Sequence, residues 1–297
     1  MNWPSNFTII TDEISQELTD VARFVRAFKL SGIELRSMFG RAFKDLTNED
    51  IAKIKEQAKV DGWKVYGVSS PVFKCEIDDE KGIRDHVEIF KRSLETAVTL
   101  NSDLIRVFTF LRRPTAPDAA TVERIAGHLA KLAELAAGSG VRVGVENESS
   151  CIIGSDAELT ALAPHLKAKN LGLIWDPCNV LYVPGASGGP STKTFETLLP
   201  QIFHVHVKDA ARLPKPAAAS SGLEGMPVGL GDVNWRAHFA SIQASGYRGM
   251  LSLETHWRRE RIDEKLLHLP AGHAFSRGGE EASTTCLHNI QALCTLL

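Results

Sequence analysis

Val143-Gly144-Val145-Glu146-Asn147-Glu148, Leu173-Ile174-Trp175-Asp176-Pro177, Phe203-His204-Val205-His206-Val207-Lys208-Asp209 and Leu251-Ser252-Leu253-Glu254-Thr255-His256 are four apolar runs that each close on acids or histidines. Glu146 and Asp176 stand thirty residues apart, as do Asp176 and His206, and thirty is the repeat of a compact strand-helix unit. The interval from His206 to Glu254 is longer, and the Pro/Ala/Ser-rich segment Lys215 to Gly222 accounts for much of the excess. Outward from these, β-branched runs recur at Phe7 to Ile10, Gly32 to Leu35, Lys64 to Val68 and Leu104 to Phe108. With Val141 to Glu146, Leu171 to Trp175, Phe203 to Val207 and Met250 to Leu253 they make eight. The intervening segments have helical period. Val122, Ile125, Leu129, Leu132 and Leu135 form one stripe that stops at Gly138-Ser139-Gly140. Leu18, Val21, Val25 and Phe28 form another, and Ile51, Ile54 and Ala58 a third behind a cap at Thr47. Strand and helix in alternation call for a parallel sheet covered by helices, and eight units closing on themselves make a (β/α)8 TIM barrel. A doubly wound sheet would carry GxGxxG after its first strand, where this chain has Thr11-Asp12-Glu13-Ile14-Ser15. The expectation is an α/β chain folded as a single TIM-barrel domain over residues 1–297.

Composition agrees and removes other classes. The 297 residues carry 34 Lys plus Arg against 36 Asp plus Glu, a net charge of -2, with 43% hydrophobic residues, the mixture of a globular protein rather than a disordered one. Near-neutrality gives no global attraction to nucleic acid or to an anionic membrane. No run approaches the ~20 apolar residues of a membrane span, and the first residues lack the basic-then-apolar pattern of a secretory signal. A cytoplasmic protein with neither nucleic-acid nor membrane partner is expected. The five cysteines are scattered without a CxxC pair, which favours reduced thiols over disulfides or a zinc knuckle.

Barrel enzymes place their chemistry at the C-terminal ends of the strands. Side chains alternate along a strand, so in each closing run the apolar set facing the helices fixes which residues point inward. By that parity Glu146, Asp176, His206 and Glu254 all face the barrel mouth. Three carboxylates and one imidazole would repel one another without a cation, and an oxygen-rich set with one His suits Mn²⁺, Mg²⁺ or Co²⁺. One divalent metal is therefore expected, Mn²⁺ first, with Zn²⁺ as an alternative. Lys208 shares the inward face, positioned either to bind a substrate oxygen or to pair with an acid. Glu148 rivals Glu146 by parity alone, and His204 sits deeper, as a core histidine would. His256 and Trp257 are candidates to line the pocket, with burial as the alternative. Gly229 and Gly231 precede a helix near Asn234 and offer either a phosphate cradle or a tight turn. Arg258, Arg259 and Arg261 form a short basic cluster that either meets an acidic substrate or a neighbouring subunit or is a solvated charge run among Glu260, Asp263 and Glu264. The loops Val183 to Pro190, Lys215 to Gly222 and Thr255 to Gly279 follow strands six, seven and eight, on the active face.

Val145-Glu146-Asn147, Trp175-Asp176-Pro177, His204-Val205-His206-Val207-Lys208-Asp209, Pro227-Val228-Gly229-Leu230-Gly231-Asp232-Val233-Asn234-Trp235 and Leu253-Glu254 stand in this order along the chain. In them the sequence resembles the xylose-isomerase-like TIM barrel superfamily, in particular its sugar phosphate isomerase/epimerase family. The resemblance implies that Glu146, Asp176, His206 and Glu254 hold one divalent metal and that Glu146 and Glu254 serve as acid and base. It also implies substrate binding by Arg212, six residues beyond the metal His. Many relatives have His three residues after the strand-six Asp. Here Asn179 stands there, able to hydrogen-bond a substrate hydroxyl but not to titrate near neutrality. The implied activity is a metal-dependent isomerase or epimerase of a keto sugar or related polyol ketone, working by proton abstraction through a metal-bound enediolate. The alternative is a lyase or dehydratase acting on a keto-inositol or 3-keto-glycoside with the same site. Cleavage of DNA is disfavoured by the missing His ligands. The partner is a small carbohydrate, and a homo-oligomer is left open.

Overall fold

The computed structural model describes residues 6–185, 189–214, 222–260 and 276–297. Among them are the eight parallel strands β1 (Phe7–Ile10), β2 (Gly32–Leu35), β3 (Lys64–Ser69), β4 (Leu104–Val107), β5 (Arg142–Glu146), β6 (Leu171–Trp175), β7 (Ile202–Val207) and β8 (Met250–Leu253). Each is hydrogen-bonded to its predecessor and successor in the chain, and β8 returns to β1, so the sheet closes as a barrel. Representative registers are Ile9 with Leu253, Val107 with Val145, and Trp175 with Val205. The eight runs read from sequence are these strands, with ends shifted by a residue at most. Residues on both faces of β1, β2, β4, β6 and most of β5 are buried, as a helix-covered parallel sheet requires, and so the strands read as unbroken apolar runs.

Helices α1 (Leu18–Ala27), α2 (Asn48–Asp61), α3 (Glu80–Leu100), α4 (Ala119–Leu135), α5 (Asp156–Leu162), α6 (Pro177–Leu181), α7 (Thr192–Leu198), α8 (Trp235–Ala244) and α9 (Gly279–Thr295) lie between and after the strands. Thr47 caps α2 in a reciprocal box with Asp50, satisfying two otherwise unpaired backbone donors. In α4 the stripe Val122, Ile125, Leu129 and Leu132 is buried, but Leu135, the last helical residue, is exposed, and Ala136 after it is the buried one. Two short antiparallel hairpins extend the loops after β2 and β7: Ser37–Met38 with Arg41–Ala42, and Asp209–Arg212 with Leu223–Met226.

The chain divides into two compact units, residues 1–65 with 206–297 and residues 66–205, and both boundaries fall inside barrel strands, β3 and β7. In the first unit, Phe7 of β1 meets Phe239 of α8 edge-on at 6.1 Å, and Ser283 of α9 donates to the Glu13 carbonyl at 2.7 Å. In the second, Phe73 and Phe110 stack at 4.6 Å, with His128 of α4 edge-on to both. All five cysteines are free thiols. No helix among the described residues is long and apolar enough to cross a membrane. Of the three loops expected on the active face, 186–188, 215–221 and 261–275 lie outside the described residues, and with them Arg261, Asp263 and Glu264.

Candidate functional site

In the unit formed by residues 66–205, β5 ends on Glu146 and β6 delivers Asp176, both buried. Their carboxylate oxygens lie within 4.8 Å of each other. Asp176 is the N-cap of α6, its Oδ1 accepting from the Asn179 N–H at 3.1 Å. The first turn of α6 thereby carries Asn179 back over Glu146. Asn179 Nδ2 donates to Glu146 Oε1 at 3.1 Å and to the Asn147 carbonyl at 2.9 Å. Both amide protons of Asn179 are thus spent on the protein, which leaves Oδ1 for any substrate hydroxyl. Asn147 ties the two strand ends together: its Nδ2 donates to the Asp176 carbonyl at 2.8 Å, and its Oδ1 accepts from the Asp176 N–H at 2.9 Å. Arg106, inside β4, places its guanidinium 3.1 Å from Glu146 Oε2. Glu148 caps its own loop instead, accepting from the Ser150 N–H and from the hydroxyls of Ser149 and Ser150. Val183, Pro184 and Gly185 line a cavity of about 480 Å³ with Arg112, Ser155 and Glu158.

In the other unit, His206, Lys208 and Glu254 are buried together at the ends of β7 and β8. The Glu254 N–H donates to the Val207 carbonyl at 3.1 Å, which levels the two strand ends. Lys208 Nζ donates to Glu254 Oε2 at 3.1 Å, and His206 Nδ1 lies 3.4 Å from the same oxygen. The other carboxylate oxygen, Oε1, meets the guanidinium of Arg36 and, at 3.3 Å, His256 Nε2. Burial alone would push the Glu254 carboxyl up; Lys208 and His256, with hydrogen bonds from His206, hold it well below the usual carboxylate range.

Arg36 is the hub of this second group. Its Nε reaches Asp12 at 3.0 Å and its Nη2 reaches Glu13 at 2.8 Å, while Nη1 goes to Glu254. Arg258 donates to Glu13 Oε2 at 3.0 Å. Burial raises Glu13, but Arg258, His256 and Arg36 together bring it below its ordinary value. Arg258 is therefore not solvated, contrary to the reading of a surface charge run. Beside it Arg259 is exposed and pairs with Glu281. His256 is held at φ 46°, a left-handed conformation rare for a residue with a side chain. Its backbone N–H donates to Glu13, and its ring is brought to Glu254. Trp257 follows it, half-buried. Arg212 is exposed, its backbone N–H donated to Asp232 at 2.8 Å.

The phosphate reading of the Gly229 loop fails on its donors. Asp209 accepts from the N–H groups of Gly229, Gly231, Val233 and Ala210 at 2.9 to 3.1 Å, so an internal carboxylate already fills the cradle. A Cβ on Gly231 would stand 2.2 Å from Asp209 Oδ1, and Gly229 has φ +86°, so the strap needs glycine at both positions. Burial pushes the Asp209 carboxyl up to about 6, against these four donors. Trp235 Nε1 completes the strap by donating to the Lys208 carbonyl at 2.9 Å.

Asp12, Glu13, Glu34, Arg36 and Arg106 were not singled out from sequence. Their signal is a charged residue within or just after an apolar strand, as in Gly32-Ile33-Glu34-Leu35 and Leu104-Ile105-Arg106-Val107.

The family model described as xylose isomerase-like TIM barrel matches residues 22–277. No curated protein sequence matches the chain. Among solved structures, the apo form of 3-keto-D-glucoside 4-epimerase YcjR from E. coli is similar with TM-score 0.66 and 16% identity, over 94% of this chain and 99% of that one. IOLI protein with a bound zinc atom is similar with TM-score 0.72 and 17% identity, over 97% of each chain. A probable 3-DHS dehydratase, AsbF, from Bacillus anthracis has TM-score 0.67 and 16% identity, over 91% of this chain and 97% of that one. At such identities the likeness is one of fold.

Proposed function

Since the chain belongs to the xylose isomerase-like TIM barrel family, we propose that it is a divalent-metal-dependent isomerase or epimerase of a keto sugar or related polyol ketone. Glu146, Asp176, His206 and Glu254 hold the ion. They end β5, β6, β7 and β8, four consecutive strands of the barrel.

The observation that carries the reading is a surplus of buried carboxylates. In one unit Glu146 pairs with Arg106 and lies within 4.8 Å of the buried Asp176; in the other Asp12, Glu13 and Glu254 are buried among Arg36, Lys208, Arg258 and His256, and Glu34 meets His206. With both acids ionised, Glu146 and Asp176 carry one negative charge more than Arg106 offsets, a deficit that a divalent cation would meet. Carboxylate oxygens with one nitrogen are also the donors such an ion takes. When bound, the ion supplies positive charge to substrate oxygens as negative charge develops on them. The zinc in the IOLI protein supports a metal in this fold, and Mn²⁺ is the first ion to test.

Glu146 and Glu254 exchange the proton. One takes it from the carbon beside the carbonyl, and the other returns one to the opposite face or to the neighbouring carbon. Arg106 and Asn179 fix the first carboxylate; Lys208, Arg36 and His256 fix the second. Lys208, Arg212, His256 and Trp257 are the proposed substrate contacts, with Asn179 through Oδ1. A small carbohydrate is the partner and the cytoplasm the proposed location, with residues 1–297 acting as one domain. A lyase or dehydratase is the second reading, supported by the fold likeness to a probable dehydratase. It shares the first step and differs in expelling a leaving group β to the carbonyl.

The test is incubation with Mn²⁺ and a panel of ketoses, keto-inositols and 3-keto-glycosides in D₂O, followed by NMR. Loss of one substrate proton signal is expected, abolished in Glu146→Gln and in Glu254→Gln. Exchange undiminished in both variants would sink the assignment. A new ultraviolet chromophore would select the lyase.

A further inference from the structure

We infer that Glu34 is a positioning residue that fixes which nitrogen of His206 faces the ion, an inference that rests on the metal-site reading above. Glu34 is the third residue of the four-residue strand β2, between Ile33 and Leu35, and is buried. A carboxylate inside such a strand is costly unless a donor meets it. His206 Nε2 lies 3.2 Å from Glu34 Oε1 and 3.2 Å from Oε2. A ring nitrogen that faces two carboxylate oxygens at equal distance has only acceptors before it, so Nε2 carries a proton and donates. The other nitrogen, Nδ1, points to the Glu254 carboxylate, 3.4 Å from Oε2. In the metal-free chain Nδ1 can likewise carry a proton for Glu254, but Nε2 is committed to Glu34 behind the ring, so Nδ1 is the nitrogen that would give up its proton and turn its lone pair to an ion beside Glu254. A carboxylate behind a ligating imidazole sets its tautomer, locks its rotation and raises its basicity.

Without Glu34 the ring is free to turn about its Cβ–Cγ axis and present the wrong edge. Glu34 thus acts on the reaction through His206 and touches neither substrate nor ion. Its presence also accounts for a charge that hydrophobic packing alone would have removed from β2.

Two readouts test this, and only the second needs metal. In wild-type protein labelled with ¹⁵N-histidine, the metal-free form should show a slowly exchanging proton attached to His206 Nε2. Glu34→Gln, whose amide oxygen still accepts, should retain it, and Glu34→Ala should lose it. Calorimetric titration with Mn²⁺ should then show affinity reduced about 10–100-fold in Glu34→Ala, the range seen for lost outer-shell partners, and recovered in large part by Glu34→Gln. An unprotonated Nε2 in the wild type would overturn the inference, as would unchanged Mn²⁺ affinity in folded Glu34→Ala. If the wild type binds no divalent ion while the Nε2 proton is present, the metal-site reading fails and the Glu34–His206 pairing stands. The wild-type measurement decides the tautomer even if the alanine variant does not fold.

Discussion

Arg36 bridges Asp12, Glu13 and Glu254, three carboxylates that burial would otherwise make untenable together. Its own charge is held firmly: burial works against it, but the three acids raise the guanidinium well above its usual value. Removing one partner of such a group leaves uncompensated buried charge, which costs about 3–5 kcal/mol. Arg36→Met is therefore expected to lower unfolding stability by that order in urea denaturation, and a loss under about 1 kcal/mol would refute the hub role. At this scale the four residues that close the last four strands are readable from sequence by parity, three of them also by a thirty-residue spacing. Their supports were hidden. Arg36 stands just beyond Leu35 and Arg106 within β4, both outside the four runs that close on acids and histidines. A lone charge within Leu-Ile-Arg-Val also names no partner, since Glu146 lies forty residues on. Arg258 misled for the opposite reason: its neighbours are charged, and only the fold shows Glu13 behind it.

Among the elements, the eight strands and helices α1, α2 and α4 were legible because each is a buried apolar pattern with a recognisable start or stop. The strap after β7 was not. Gly229 and Gly231 present the N–H groups of an anion site, and nothing local reveals that Asp209, some twenty residues earlier, is the anion. Replacing Asp209 with Ala would leave four backbone donors without that acceptor and should destabilise the protein by about 3 kcal/mol or more, at ~1–3 kcal/mol per buried unsatisfied group. Thermal unfolding checks this, and an unchanged midpoint would count against the strap. The loop after β4 is fastened differently. Arg112 donates to both oxygens of Glu158, at 2.9 and 2.7 Å, and Glu158 also accepts the N–H groups of Gly154 and Ser155 in the cap of α5. Burial raises Glu158, yet Arg112 and those N–H groups bring it below its ordinary 4.5. A lowered carboxyl contributes stability above the unfolded value and loses it as pH falls through the folded one. Between pH 7 and pH 3, wild type should therefore lose more stability than Arg112→Met, as read by denaturant midpoints. Equal losses would remove Arg112 from the account.

Over the whole molecule, the fold follows from eight similar units, and the proposed site from their shared direction. Parallel strands of a barrel end on one face, and the proposed centre takes its four residues from the last four strands. Metal binding to the folded chain alone should stabilise it, by about 2.7 kcal/mol when the free ion is a hundredfold above its Kd. A Tm that rises with Mn²⁺ and falls back with chelator is expected, and an indifferent Tm would oppose a resident ion. The most direct test is calorimetric titration of metal-stripped protein with Mn²⁺, in wild type and in Glu146→Gln, Asp176→Asn, His206→Ala and Glu254→Gln. One ion per chain is predicted, with affinity reduced at least about tenfold in every variant, a loss of 1.4 kcal/mol or more. No binding by the wild type, or full affinity in Glu146→Gln and Asp176→Asn, would contradict a single centre built from all four residues.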